Sequence, residues 1–137
     1  MDEIYNPMNM RLCDTEFPSE SLLHDFSDLI GKPYLDGGLG PDSFDCFGLV
    51  RWVWHKALGI CLPEKHLGWR RFGDVLPWPC EIRLYDILMF ESLNIVDHVG
   101  VMVSETEFLH TGRIYGGVVC EPVWRAKDKI RAVGRKT

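Results

Sequence analysis

Cys46 lies in the run Phe44-Asp45-Cys46-Phe47-Gly48-Leu49-Val50, where a glycine-rich stretch gives way to apolar residues at helical spacing. A cysteine attacks as its thiolate. The first turn of a helix favours that anion, because unpaired backbone N–H groups and the helix dipole present positive potential there. The expectation is therefore a lowered Cys46 pKa. Asp45 or Ser43 can cap the same turn, and the Cys46 N–H points at whatever the sulfur attacks, as an oxyanion donor would. Downstream, His98 follows Asp97 at the head of one apolar segment, and His110 ends the next. Antiparallel neighbours joined by a turn bring positions 98 and 110 together. His98 can then act as general base toward Cys46 and as acid toward a leaving amine, with His110 holding its other ring nitrogen. This is the kit of a cysteine-nucleophile hydrolase.

Plainer roles cover most of the other reactive side chains. Cys13, Cys61, Cys80 and Cys120 read as small buried hydrophobes or idle surface thiols. His24, His55 and His66 read as surface residues, and Trp52, Trp54, Trp69, Trp78 and Trp124 as core or cleft wall. A metal site built from Cys46, His98 and His110 matches no ligand spacing, so neither a metal nor a cofactor is expected.

The elements that must position these residues follow from the pattern. Residues 1–18 form an irregular extension, and residues 19–137 a single domain. A first helix is expected over Ser21–Ile30, with Leu22, Leu23, Phe26, Leu29 and Ile30 on one face and Gly31 beyond its end. Residues 31–44 hold four glycines and two prolines and read as a loop. A second helix is expected over Asp45–Leu58, its apolar face Val50, Val53, Trp54, Ala57 and Leu58, with Gly59 as its stop. Residues 60–83 show no period. Strands are expected over 86–90, 98–103 and 107–110, with weaker candidates at 117–122 and 130–133. Helices followed by strands make an α+β fold with an antiparallel sheet in the second half.

Composition narrows the classes further. At 137 residues and 46% hydrophobic, the chain can bury one core. Its net charge of −5 argues against nucleic-acid binding and against adhesion to an anionic membrane. Five cysteines without a Cys-x-x-Cys pair suggest reduced thiols rather than a disulfide framework. Residues 1–7 lack the basic-then-apolar pattern of a signal peptide, and no apolar run approaches the roughly 18–20 residues of a membrane span. The chain is expected to stay in the cytoplasm as synthesised.

Three motifs, in order, resemble those of the NlpC-type cysteine peptidases, which are papain-like cell-wall hydrolases. The approach loop Gly31-Lys32-Pro33-Tyr34-Leu35-Asp36-Gly37-Gly38 is similar to the family's Gly-x-Pro-Tyr-x-x-Gly-Gly. Phe44-Asp45-Cys46-Phe47-Gly48-Leu49-Val50 resembles its Phe-Asp-Cys-Ser-Gly-Leu-Val, and Asp97-His98-Val99-Gly100-Val101 its strand beginning His-Val-Gly-Ile. A third polar residue follows about a dozen positions later in the family, and His110 falls there. The resemblance spans residues 22–122. It implies a papain-like fold, N-terminal helices packed on a small antiparallel sheet, with Cys46 as nucleophile, His98 as base and His110 as orienting residue. It further implies that the Tyr34 hydroxyl joins the Cys46 N–H in the oxyanion hole and that Asp45 binds a free peptide amine. The implied reaction is hydrolysis of the D-glutamyl–diamino acid bond in peptidoglycan stem peptides.

The chain departs from the family pattern twice. Phe47 stands where the family carries a serine that helps shape the amine subsite, and Tyr85-Asp86 stands in place of the usual Gly-Asp. The variant Asp-Cys-Phe-Gly-Leu-Val-Arg is closer to short members found in phage tail-assembly and prophage clusters. Phage tail proteins are thus expected partners, and a tail particle an expected route to the wall. Two other functions fit the same residues: a structural tail component whose site is vestigial or only binds, and an acyltransferase or amidase with a different acceptor.

Overall fold

A computed structural model describes residues 25–63, 73–92 and 95–136, with the side chains of residues 91–97 outside that description. The extension over 1–18 and residues 21–24 of the expected first helix lie outside the described residues, as do His24, His66 and Trp69. What is described of the first helix is a 3-10 turn, Ser27–Leu29. The chain cannot continue as an α-helix here. Gly31 takes the left-handed φ of 92°, and its N–H donates to the Val118 carbonyl, which pulls the backbone into a bridge with residues 116–118.

The second expected helix forms as α1 (Cys46–Leu58), with Asp45 as N-cap and Gly59 at φ 73° closing its C-terminus. Six strands follow among the described residues: β1 (Gly73–Pro77), β2 (Ile87–Ser92), β3 (Ile95–Met102), β4 (Glu107–His110), β5 (Val119–Pro122) and β6 (Ile130–Lys136). They make one antiparallel sheet in the order β1-β6-β2-β3-β4-β5. One helix packed on this sheet is the α+β architecture expected from the sequence. Strand β1 falls inside the segment expected to be irregular. It pairs with β6 alone and is bounded by Gly73 and Pro77, so it lacks the alternation of a strand with one buried face. Strand β3 also begins earlier than expected, which puts His98 inside it rather than at its head.

Alternation along the central strands serves two apolar layers. Ile87, Met89, Val99, Val101 and Leu109 meet Leu49, Val50, Val53 and Trp54 of α1. Leu88, Phe90, Met102, Phe108, Ile130 and Val133 make the opposite layer, covered by Trp78, Ile82 and Val123. Trp54 is buried, whereas Trp124 is 64% exposed and forms neither core nor cleft wall. Cys61 is disulfide-bonded, so neither the idle-thiol reading nor the expectation of reduced thiols holds for it; Cys46, Cys80 and Cys120 are free.

Tyr85 has φ 67°, a left-handed conformation that favours glycine. This is the position where the related pattern has Gly-Asp. The conformation is held from several sides. Trp54 Nε1 donates to the Tyr85 carbonyl at 2.8 Å, and the Tyr85 N–H donates to the Met102 carbonyl at 3.0 Å. Asp86, 2% exposed, accepts from the Arg83 N–H and from the Arg135 guanidinium through both carboxylate oxygens.

Candidate active site

The start of α1 is built by contact between backbones. Asp45 Oδ1 accepts from the Gly48 N–H at 2.6 Å, the N-cap bond to the third helical residue. Its Oδ2 accepts from the Gly37 N–H at 3.1 Å, and the Asp45 N–H donates to the Gly38 carbonyl at 2.9 Å. One carboxylate thereby pins the glycine loop to the helix, the role the sequence left open between Asp45 and Ser43. Gly48 is required by this closeness, since a Cβ there would come within 2.0 Å of the Gly38 oxygen. Phe47 is partly buried against the core.

Cys46 is the first residue of α1 and is 9% exposed. Its sulfur meets β3 at the Val99 N–H, the residue after His98. That donor is left over by the sheet. Val103 donates to the Glu107 carbonyl, so alternate N–H groups of this strand point toward β4. The β3–β4 register ends at Val101 opposite Leu109, and the Val99 N–H lies two residues past it. The lowered pKa expected from the helix start is not what results. Burial pushes the Cys46 thiol up to about 11, with the Asp45 charge adding to the rise, while the Val99, Phe47 and Cys46 N–H groups pull less strongly the other way. At neutral pH the group is therefore a thiol.

His98 sits opposite Phe90 on β2, with ring centroids 5.3 Å apart. Its Nε2 lies 2.9 Å from His110 Nδ1. Continuing the β3–β4 register puts His110 opposite Gly100, so the two histidines meet diagonally across a position with no side chain. A Cβ on Gly100 would fall 2.8 Å from the Phe108 ring. His110 is 4% exposed and packed between a tilted Phe108 ring and an edge-on Tyr115 ring, each with its centroid 4.7 Å away. Burial lowers its pKa against the opposing pull of Glu121. Glu121 on β5 completes the line, its Oε2 2.7 Å from His110 Nε2. Sequence reading passed over Glu121. It stood inside a weak strand candidate, and only the β4–β5 register, with Phe108 opposite Glu121, puts it diagonal to His110.

Tyr34 donates its backbone N–H to the Gly116 carbonyl. Its hydroxyl donates to Asp36 Oδ1 at 2.6 Å, an interaction that raises its pKa to about 12. Asp36 in turn is paired with Arg113. The Tyr34 proton is thus committed to Asp36 rather than aimed beside the Cys46 N–H. Among the described residues, no three His, Cys, Asp or Glu side chains gather as metal ligands.

Known proteins resemble the chain in sequence and in fold. A probable endopeptidase, YafL, of Escherichia coli K12 is 32% identical over 117 residues, covering 78% of this chain and 46% of YafL. A gamma-DL-glutamyl hydrolase of Bacillus subtilis 168 is 31% identical over 104 residues, covering 72% of this chain and 25% of that protein. This chain therefore spans less than half the length of either relative. The NlpC/p60 domain of the peptidoglycan hydrolase SagA superposes with a TM-score of 0.65 at 21% identity, over 79% of this chain and 90% of that domain. The NlpC/P60 family model matches residues 31–134, a span that holds the glycine loop, Cys46, both histidines and Glu121, and the chain belongs to that family.

Proposed function

We propose that this chain is a cysteine endopeptidase that hydrolyses peptidoglycan stem peptides at the D-glutamyl–diamino acid bond. The observation that carries the reading is the hydrogen-bonded line His98–His110–Glu121, running from the strand whose Val99 N–H meets the Cys46 sulfur. In this reading His98 takes the Cys46 proton through Nδ1, the ring nitrogen not engaged by His110, and the thiolate attacks the scissile carbonyl. The Cys46 N–H steadies the oxyanion, joined by the Tyr34 hydroxyl if substrate draws it from Asp36. His98 then protonates the leaving amine, and water releases the acyl group from sulfur by the reverse use of the same base. Asp45 receives the substrate's free amine, with Phe47 as the neighbouring wall of that subsite.

The membership in a hydrolase family and the names of the two bacterial relatives support this substrate class. The motif Asp45-Cys46-Phe47-Gly48-Leu49-Val50-Arg51 supports a place among tail-associated members, with phage tail proteins as partners and a tail particle as the route to the wall. Mass spectrometry of muropeptides digested with wild-type protein and with Cys46→Ala tests the reading. Cleavage products from the wild type alone are expected, and identical products from both remove it.

A second reading, a tail component whose site only binds, is favoured by the raised Cys46 pKa and by the Tyr34 proton held on Asp36. It predicts muropeptide binding without turnover.

A further inference from the structure

Glu121 can only accept a hydrogen bond from His110 when it is a carboxylate, and this single constraint propagates along the line. With Glu121 Oε2 2.7 Å away, His110 Nε2 carries the proton. In a neutral imidazole the other nitrogen, Nδ1, is then the acceptor. His98 Nε2, 2.9 Å from it, must therefore be the donor, and the lone pair of a neutral His98 falls on Nδ1.

We propose that Glu121 is a positioning residue that sets the tautomers of both histidines, so that His98 presents an unprotonated Nδ1 to the Cys46 thiol. This rests on the hydrolase reading above for its consequence in turnover, though not for the tautomers themselves.

The surroundings support it. The relay works only while His110 is neutral. A protonated His110 would donate from Nδ1 to His98 Nε2, turn that nitrogen into an acceptor and move the His98 proton onto Nδ1, where a base needs its lone pair. His110 is faced by His98 from β3, Glu121 from β5 and Tyr115 from the connection between β4 and β5, and is flanked by Phe108 on its own strand. Among these groups only Glu121 favours the charged form. Its 4% exposure opposes that form, and burial is the larger of the two effects. Glu121 itself is part-exposed at the edge of the sheet, with its side chain 27% accessible, so its carboxylate keeps contact with solvent while the His110 imidazole is buried. The fold thus hands a surface charge inward as a proton arrangement.

The test uses the full chain labelled with ¹⁵N-histidine, with ring-nitrogen spectra recorded at neutral pH for wild type, Glu121→Gln, Glu121→Ala and Glu121→Asp, alongside muropeptide turnover. In the wild type, His110 and His98 are each expected as the Nε2–H tautomer. Glutamine can flip its amide and donate to His110 Nε2, and alanine removes the acceptor, so both variants are expected to mix or invert the tautomers. Turnover should fall about 100-fold in kcat with KM little changed, less than the ~10⁴-fold loss known where the neutralised carboxylate touches the base directly. Aspartate should restore part of the wild-type spectrum and rate. A wild-type His110 protonated at Nδ1, or a Glu121→Ala protein whose His98 keeps the wild-type tautomer, overturns the proposal. A wild type that turns over no muropeptide defeats the hydrolase reading instead, and the spectra still decide the role of Glu121. Should one variant fail to fold, the wild-type spectrum and the remaining variants decide.

Discussion

Replacing His98 with alanine should slow alkylation of Cys46 at neutral pH about 10-fold. The starting point is a buried thiol held at about 11. An imidazolium about 4 Å from the thiolate, at an effective dielectric constant of about 20, contributes about 4 kcal/mol, or roughly three pK units. A neutral imidazole competes with that ion pair: for one of the ordinary pKa of about 6.5, about one pair in 30 holds the thiolate–imidazolium form, and the share stays level between about pH 7 and 10 because both forms carry the same number of protons. At about pH 7 the thiolate fraction falls from about one in 40 to about one in 10⁴ when the imidazole is removed. The more basic thiolate is also the better nucleophile, and a Brønsted slope of about 0.5 returns about 30-fold of that roughly 250-fold loss. The assay is the rate of iodoacetamide labelling between about pH 5 and 11, read by peptide mass mapping so that Cys46 is separated from the free Cys80 and Cys120. Superimposable profiles for wild type and His98→Ala would refute the reasoning. So would a wild-type rate that keeps rising through about pH 7 to 10 with no plateau, since no ion pair would then be forming.

Asp45→Ala should cost about 1–2 kcal/mol of stability in urea denaturation, the usual loss for an N-cap, because the Gly48 N–H is left without its acceptor. An unchanged midpoint would mean that water replaces the cap at no cost. At position 85, glycine should be more stable than alanine by about 1 kcal/mol, because both remove the tyrosine ring and only glycine accepts φ 67° without strain; equal midpoints for Tyr85→Gly and Tyr85→Ala would count against that strain. Acid should destabilise the fold through His110, whose folded pKa lies below the ordinary 6.5 because of burial. Between the folded value and 6.5 the unfolded chain binds the proton more readily, so stability is complete above 6.5 and is lost as pH falls toward the folded pKa. Urea midpoints at about pH 8 and pH 5 should therefore diverge more in wild type than in His110→Gln, and equal divergence would place the acid-sensitive group elsewhere.

Elements that depend on local chemistry were legible in the sequence. Helix α1 carries its own cap and its own left-handed stop in Asp45 and Gly59, and strand β4 has the expected limits, 107–110. Features that depend on distant partners were not. Strand β1 exists through its pairing with β6 about 60 residues away, and neither its Gly-to-Pro sequence nor its mixed exposure announces it. Gly31 ends the first turn by bonding to Val118, a contact no local pattern encodes. The sign of the Cys46 shift was misread for a related reason. The helix start is visible in the sequence, but the apolar layer that buries the sulfur is assembled from β2, β3 and β4 and outweighs the helix amides. Glu121 needed two registers at once, β3–β4 and β4–β5, before its relation to His98 could be seen.

Asp45 poses the sharpest question of chemistry, because its charge works against the nucleophile beside it. The carboxylate raises the Cys46 pKa, and the capping that it performs needs no charge at all. Serine, threonine or asparagine would accept from the Gly48 N–H about as well. The bond to the Gly37 N–H is likewise open to a neutral oxygen. Structural duty therefore accounts for an acceptor at this position but not for an anion. A carboxylate placed next to a thiol that must ionise makes sense when a cation arrives with the substrate. An ammonium group bound at Asp45 would offset the charge that opposes thiolate formation, while each carboxylate oxygen keeps a lone pair beyond the one given to the backbone. Asp45→Asn separates the two duties, since it keeps the cap and drops the charge. On this argument the substrate's amine is part of the activation of Cys46, so that anchoring and ionisation occur in one step.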